Sequence, residues 1–374
     1  MVRPMATHQI RIDRALTLAA EPHTGHNRWH PDIGPVLRCE PGDEVVLETR
    51  DTFDGFFDRG SSAKDVEQAD FGLVHPLTGP VEVAGARPGD LLVAEILEVI
   101  PEPFGFTAQV PGFGFLRDDF PGPFLVRWEL AEGWATSDDL PGVRIAGAPF
   151  MGVMGVAPSA DLLRTATARE AEVAARGGVA LPPDPAGAVP ADPALAAEGL
   201  RTIPPREHGG NIDIKQVTAG TRLLLPVWVD GARFSAGDAH FAQGDGESCG
   251  TAIEMAATLR VCLDLRPAQA AEREIRTPCY ERDTSDPAAS VPPGPYFATT
   301  GMCLTADGRN ESEDLTLAAR NALAAMITHL GHEYGYTPQQ AYAICSVAVD
   351  LRISQAVDLP NAIVSAFLPL DIFV

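Results

Sequence analysis

The sequence predicts a mainly β protein, a sandwich built from hairpins and crossovers, and three observations carry that expectation. Glycine (35) and proline (33) are both frequent among the 374 residues, so turns should be many and strands short. Two Pro-Gly-Asp turns, at 41–43 and 88–90, each launch an apolar run, Glu44–Thr49 and Leu91–Ile96. Helical spacing of apolar residues is sustained only around 159–176 and after 310.

Taken in order, residues 10–100 read as strand and turn, and 103–150 as further sheet with long loops, because aromatic residues there alternate with turn formers. Ser159 to Arg176 reads as a short helix with Leu162, Leu163, Ala166 and Val173 near helical spacing. Residues 177–198 are an Ala/Pro/Gly-rich stretch, expected to be a surface excursion that buries little. Strands resume near Arg222–Val229 and Thr251–Leu265. Asn310 is the expected cap of a helix carrying Leu315, Ala319, Ala322, Leu323, Met326, Ile327 and Leu330, with Gly331 its expected end. Thr337-Pro338-Gln339-Gln340 has the form of a capping box with proline at the first helical position, opening a helix that turns Ala341, Ile344 and Cys345 inward. Three parts follow: an N-terminal β domain (1–150), a central β region (151–265) with the 177–198 excursion, and a C-terminal α/β portion (266–374).

Composition narrows the function. The chain is 45% hydrophobic and 21% charged, as ordinary globular proteins are. Its net charge of −23 argues against nucleic acid and against an anionic membrane. No apolar run approaches the ~18 residues of a membrane span, and the opening Met1-Val2-Arg3-Pro4 has no signal core, so a cytoplasmic location is expected. Six scattered cysteines form neither a disulfide framework nor a zinc finger.

Chemistry concentrates in three clusters. The densest is Gly237–Gly250, where Asp238, His240, Asp245 and Glu247 stand among four glycines. Two-residue steps put side chains on one face of a strand, and glycine bends can bring later ones round to join them. That pattern suits a divalent metal or an activated water, although a solvated acidic turn has the same composition. The second cluster is His208–Lys215, in which Asn211, Asp213 and Lys215 alternate with isoleucines and would share one face of an extended strand. The third is Glu254, an acid in an apolar strand.

These segments are recognisable together. Thr202–Asp213, the Gly237–Glu254 stretch ending Gly-Thr-Ala-Ile-Glu, Thr78-Gly79-Pro80-Val81, Phe150–Pro158 and Ala341–Arg352 resemble the acetamidase/formamidase family, in order and over nearly the whole chain. The resemblance implies hydrolysis of a short, neutral amide such as formamide or acetamide. It further implies a β-sandwich-like fold with a β-barrel-like part and a smaller C-terminal α/β portion, homo-oligomerisation (a dimer or larger), and a bound divalent cation; a mixed carboxylate and imidazole shell points to zinc or calcium, with manganese also open. The 178–198 insertion departs from the family pattern and leaves the exact amide open.

The residues support the same chemistry. Asp213, Asp238, His240 and Glu247 are the expected metal shell. Glu247 is also a candidate base, with Asp245 and Glu254 as further catalytic acids. Asn211, Lys215 or glycine amides would steady the oxyanion, and Gly210, Cys249 and, from the N-terminal sheet, His75 would contact the substrate. Two alternatives stay open: Cys249 as a nucleophile activated by His240 or Lys215, and a non-catalytic sandwich that binds a small ligand or cation.

Overall fold

The computed structural model describes residues 5–283, 294–357 and 360–374, so the Met1–Pro4 stretch read above lies outside the described residues. Its centre is a 15-stranded sheet in which the long strand Leu91–Gln109 pairs antiparallel with Glu254–Arg266. That pairing runs from Leu91 opposite Arg266 to Phe106 opposite Glu254, with register shifts near Met255 and Arg260 that bend the ribbon. Asp43–Thr49 lies along the other edge of Glu254–Arg266. Both Pro-Gly-Asp turns therefore start strands, as their spacing predicts.

The strand Phe234–His240 organises the functional end. It pairs with Phe150–Gly155, with Leu77–Val83, and at its last residues with Glu254–Arg266. The last of these pairings sets His240 directly opposite Glu254. Every residue of Phe234–His240 is buried, so its polar side chains must find partners inside.

The C-terminal portion is a three-stranded antiparallel sheet, Tyr296–Met302, Ile363–Pro369 and Asp350–Gln355, backed by the helices Leu315–Tyr334 and Pro338–Ala348. The second helix has the expected capping box at Thr337 and Gln340, and it buries Ala341, Ile344 and Cys345. The first differs at both ends. Asp314, not Asn310, accepts from the Leu317 amide, and the helix runs past Gly331 to a left-handed Gly335. A glycine inside a helix costs only about 1 kcal/mol, so Gly331 is a weak stop, and three more helical residues follow it, the last of them, Tyr334, stacked on Phe373.

The Ala/Pro-rich stretch also differs from expectation. It carries a short helix, Pro193–Glu198, and buries Ala188, Val189 and Ala196. It is held by polar bonds: the Arg28 guanidinium, 1% exposed, donates to the Asp184 and Ala186 carbonyls, and Asn27 bonds Gly187 and Val189. Composition missed this because the anchor is a distant arginine.

Candidate active site

Four stretches converge on His240. Its Nε2 lies 3.2 Å from Glu254 Oε2, 3.5 Å from Asp238 Oδ1 and 3.9 Å from Glu247 Oε1. Asp213 completes the ring: Asp213, His240 and Glu247, and likewise Asp238, His240 and Glu254, offer ligand atoms within 4.8 Å of one another. Thr52 Oγ1 bridges Asp238 Oδ1 and Glu254 Oε2, and the Ala252 amide donates to Glu254 Oε1 at 2.8 Å. His75, held by Thr202, approaches Asp238 Oδ2 at 3.6 Å.

The backbone bends to make this possible. Asp213 (φ 44°), Asp238 (φ 58°) and Glu247 (φ 41°) all occupy the left-handed region, which costs a non-glycine residue about 1–3 kcal/mol. Across from them Gly152 leaves room. A Cβ there would lie 2.5 Å from Asp213 Oδ1, 2.7 Å from Asp238 Oδ2 and 2.8 Å from His240 Cε1. The other side of the His240 ring is fixed by Gln243, whose Oε1 lies 2.9 Å from Nδ1 and whose Nε2 donates to the Asp213 carbonyl at 2.9 Å.

Crowding sets the electrostatics. Burial, with Asp238 and Glu254 nearby, pushes Asp213 up to about 8 against the pull of His240. Glu247 is raised well above its ordinary value by burial and by Asp213, and Glu254 is raised by burial. Burial works against ionising Asp238 too, but the His75 and His240 rings and the Thr52 hydroxyl outweigh it and hold the carboxyl below its usual range. Burial also opposes charge on His240, yet Glu254 and Asp238 raise it well above 6.5. Such a cluster holds protons that a cation would displace.

The cavity beside these groups has a volume of about 470 Å³ and is lined by Thr52, His75, Asn211, Asp213, Asp238, Glu247, Thr251 and Glu254, with Arg117 and several apolar residues making up much of the rest. Asn211 Nδ2 bonds the Ile203 carbonyl, and its buried Oδ1 has no hydrogen-bond partner among the described residues. Four expected residues lie elsewhere. Lys215 pairs with Asp350, because left-handed Asp213 ends the alternation that would have kept Asn211, Asp213 and Lys215 on one face. Asp245 accepts from Gln216. Gly210 is used in pairing with Met154 and packs near Trp29. Cys249 is 1% exposed, does not line the cavity, and burial pushes its thiol up to about 11. Its sulfur lies against the Ala108 carbonyl, Thr251 and Ser346, and among the described residues neither His240 nor Lys215 bonds it.

Three site residues have no expectation in the sequence: Thr52, Gly152 and Gln243. Gly152 sits in the Phe150–Pro158 segment and Gln243 inside the Gly237–Gly250 run, so both are near a visible signal. Thr52 has none.

A largely antiparallel β fold around an acid-rich cavity, with the imidazoles of His240 and His75 beside the acids, defines the class of protein. The chain matches the sequence profile of the Acetamidase/Formamidase family over residues 11–374, and it belongs to that family. It is 38% identical to a formamidase of Methylophilus methylotrophus over 368 residues, covering 93% of this chain and 89% of that one. It is 37% identical to an acetamidase of Mycolicibacterium smegmatis, covering 89% and 87% of the two chains. Among solved structures, a gamma lactamase from Delftia acidovorans superposes with a TM-score of 0.92 at 36% identity, over 98% of this chain and 93% of that one.

Proposed function

We propose that this protein hydrolyses a carboxamide to a carboxylate and ammonia at the cavity around His240, with a divalent cation held there. Membership of the family and the formamidase and acetamidase relatives support hydrolysis of linear amides. One observation carries the metal: among the described residues the buried Nε2 of His240 has no partner of hydrogen-bond geometry while three carboxylates face it. Asp213 Oδ1 is likewise buried and unpartnered. A buried polar atom left unpaired costs about 1–3 kcal/mol, and a cation among these atoms would remove that cost. One imidazole with carboxylates drawn from Asp213, Asp238, Glu247 and Glu254 suits zinc or calcium.

A bound divalent ion supplies Lewis acidity that polarises the amide carbonyl and favours deprotonation of water. The chain's own groups do the rest. Glu247 lines the cavity and has a raised affinity for protons, so it takes a proton from the attacking water and returns it to the departing nitrogen. The water oxygen bonds to the carbonyl carbon, the C–N bond breaks, and ammonia leaves. Asn211 lines the cavity, where its side-chain amide can bond the substrate amide.

The test is ammonia release from formamide, acetamide, propionamide and urea. A chelator should abolish turnover, a divalent ion should restore it, and Cys249→Ala should retain it. Turnover that survives chelation but is lost with Cys249 would overturn the metal reading.

Further expectations belong with this reading. A cytoplasmic enzyme fits the composition, and among the described residues no helix is long and apolar enough to cross a membrane. Homo-oligomerisation is supported by Tyr296 and Met302, exposed on one face of the C-terminal sheet. The division at 150 and 265 is proposed as an organisation of the chain, with the site drawn from its first two parts.

A further inference from the structure

The cavity has a polar lining, which includes Arg117 as well as the carboxylates, and an apolar one. Beyond the carboxylates stands an aromatic row, Phe53, Phe71 and Phe113, with ring centres 5.9 Å apart for the first pair and 5.3 Å for the second. This row is backed by packing. Phe53, Val74 and Val110 are buried members of a small apolar cluster, against which Phe71 and Phe113 pack. It is also tied to the chemistry. Phe53 follows Thr52, and the Phe113 ring lies on the bare backbone of Gly250, where a Cβ would come within 2.6 Å of it.

The size of the cavity does not match the smallest amides. At about 470 Å³ it falls in the range of about 300–1,000 Å³ typical of sites that enclose much larger ligands. Formamide would leave most of that space to water lying against aromatic rings, an unfavourable arrangement that a hydrocarbon group would relieve. We infer that the preferred substrate is a primary carboxamide with an apolar acyl group of about four to seven carbons, its amide at the carboxylates and its hydrocarbon part on Phe53, Phe71 and Phe113. This rests on the amide-hydrolase reading above and narrows it.

The experiment is a kcat/KM series for ammonia release from acetamide, butyramide and hexanamide by the full chain supplied with divalent metal. Each buried methylene contributes about fourfold, so butyramide should exceed acetamide by at least about tenfold and hexanamide should exceed butyramide. Phe71→Ala and Phe113→Ala should each lower the hexanamide-to-acetamide ratio by at least about fourfold. A flat or falling series in an enzyme that turns over acetamide overturns this inference and leaves the amidase reading standing. Absence of ammonia from every amide, with metal supplied, overturns both.

Discussion

His240 is fixed in one tautomer by a residue that carries no charge. Gln243 Nε2 donates to the Asp213 carbonyl, which can only accept, so Gln243 Oε1 must be the acceptor for His240 Nδ1–H. The lone pair of the neutral ring then lies on Nε2, toward Glu254, Asp238 and Glu247, where only a proton or a cation makes the contact favourable. Gly152 defines the opposite wall. Gly152→Ala would push a methyl into Asp213, Asp238 and His240, and it should lower kcat/KM at least about 10²-fold while the protein stays folded. Steady-state kinetics beside a thermal melt checks this, and near-normal activity would show that the wall can move. At this scale the charged residues were legible in the sequence and their helpers were not. Asp213, Asp238, His240, Glu247 and Glu254 stand out because buried charge needs a reason. Gln243, Gly152 and Thr52 act through shape or a single hydrogen bond, and such residues occur everywhere in a chain.

Among the elements, the strand Phe234–His240 matters most, because its pairing with Glu254–Arg266 brings two of the sequence clusters into register at His240 and Glu254. Some turns and caps were legible: the Pro-Gly-Asp starts and the Thr337 box are local chemistry, decided within four residues. What failed were the Asn310 cap and the Gly331 stop, replaced by Asp314 and Gly335, and two expectations that depended on a distant partner. Lys215 turns to Asp350, 135 residues away, and the 177–198 stretch is anchored by Arg28. That anchoring has a consequence for deletion. Removing residues 178–198 would leave a buried guanidinium short of acceptors, which costs about 3–5 kcal/mol. The deletion variant should melt well below the intact protein or fail to express in soluble form. An unchanged melting temperature would mean that water or a neighbouring loop replaces those carbonyls.

For the whole molecule, mainly β architecture and a late helical portion follow from turn frequency and from where helical periodicity begins, so they were legible without coordinates. The assembly of the cavity was not, since Thr52, Gly152, Asp213 and Glu254 come from stretches with no sequence sign of their mutual distance. A net charge of −23 fits a centre that concentrates acids and calls for a cation. The most direct test is metal titration of the purified chain after chelation, with His240→Ala and Gln243→Leu in parallel. The account predicts a high-affinity divalent site in the wild-type protein, its loss in His240→Ala, and about 10–100-fold weaker binding in Gln243→Leu. Equal metal binding by all three proteins, or none by the wild type, would contradict it.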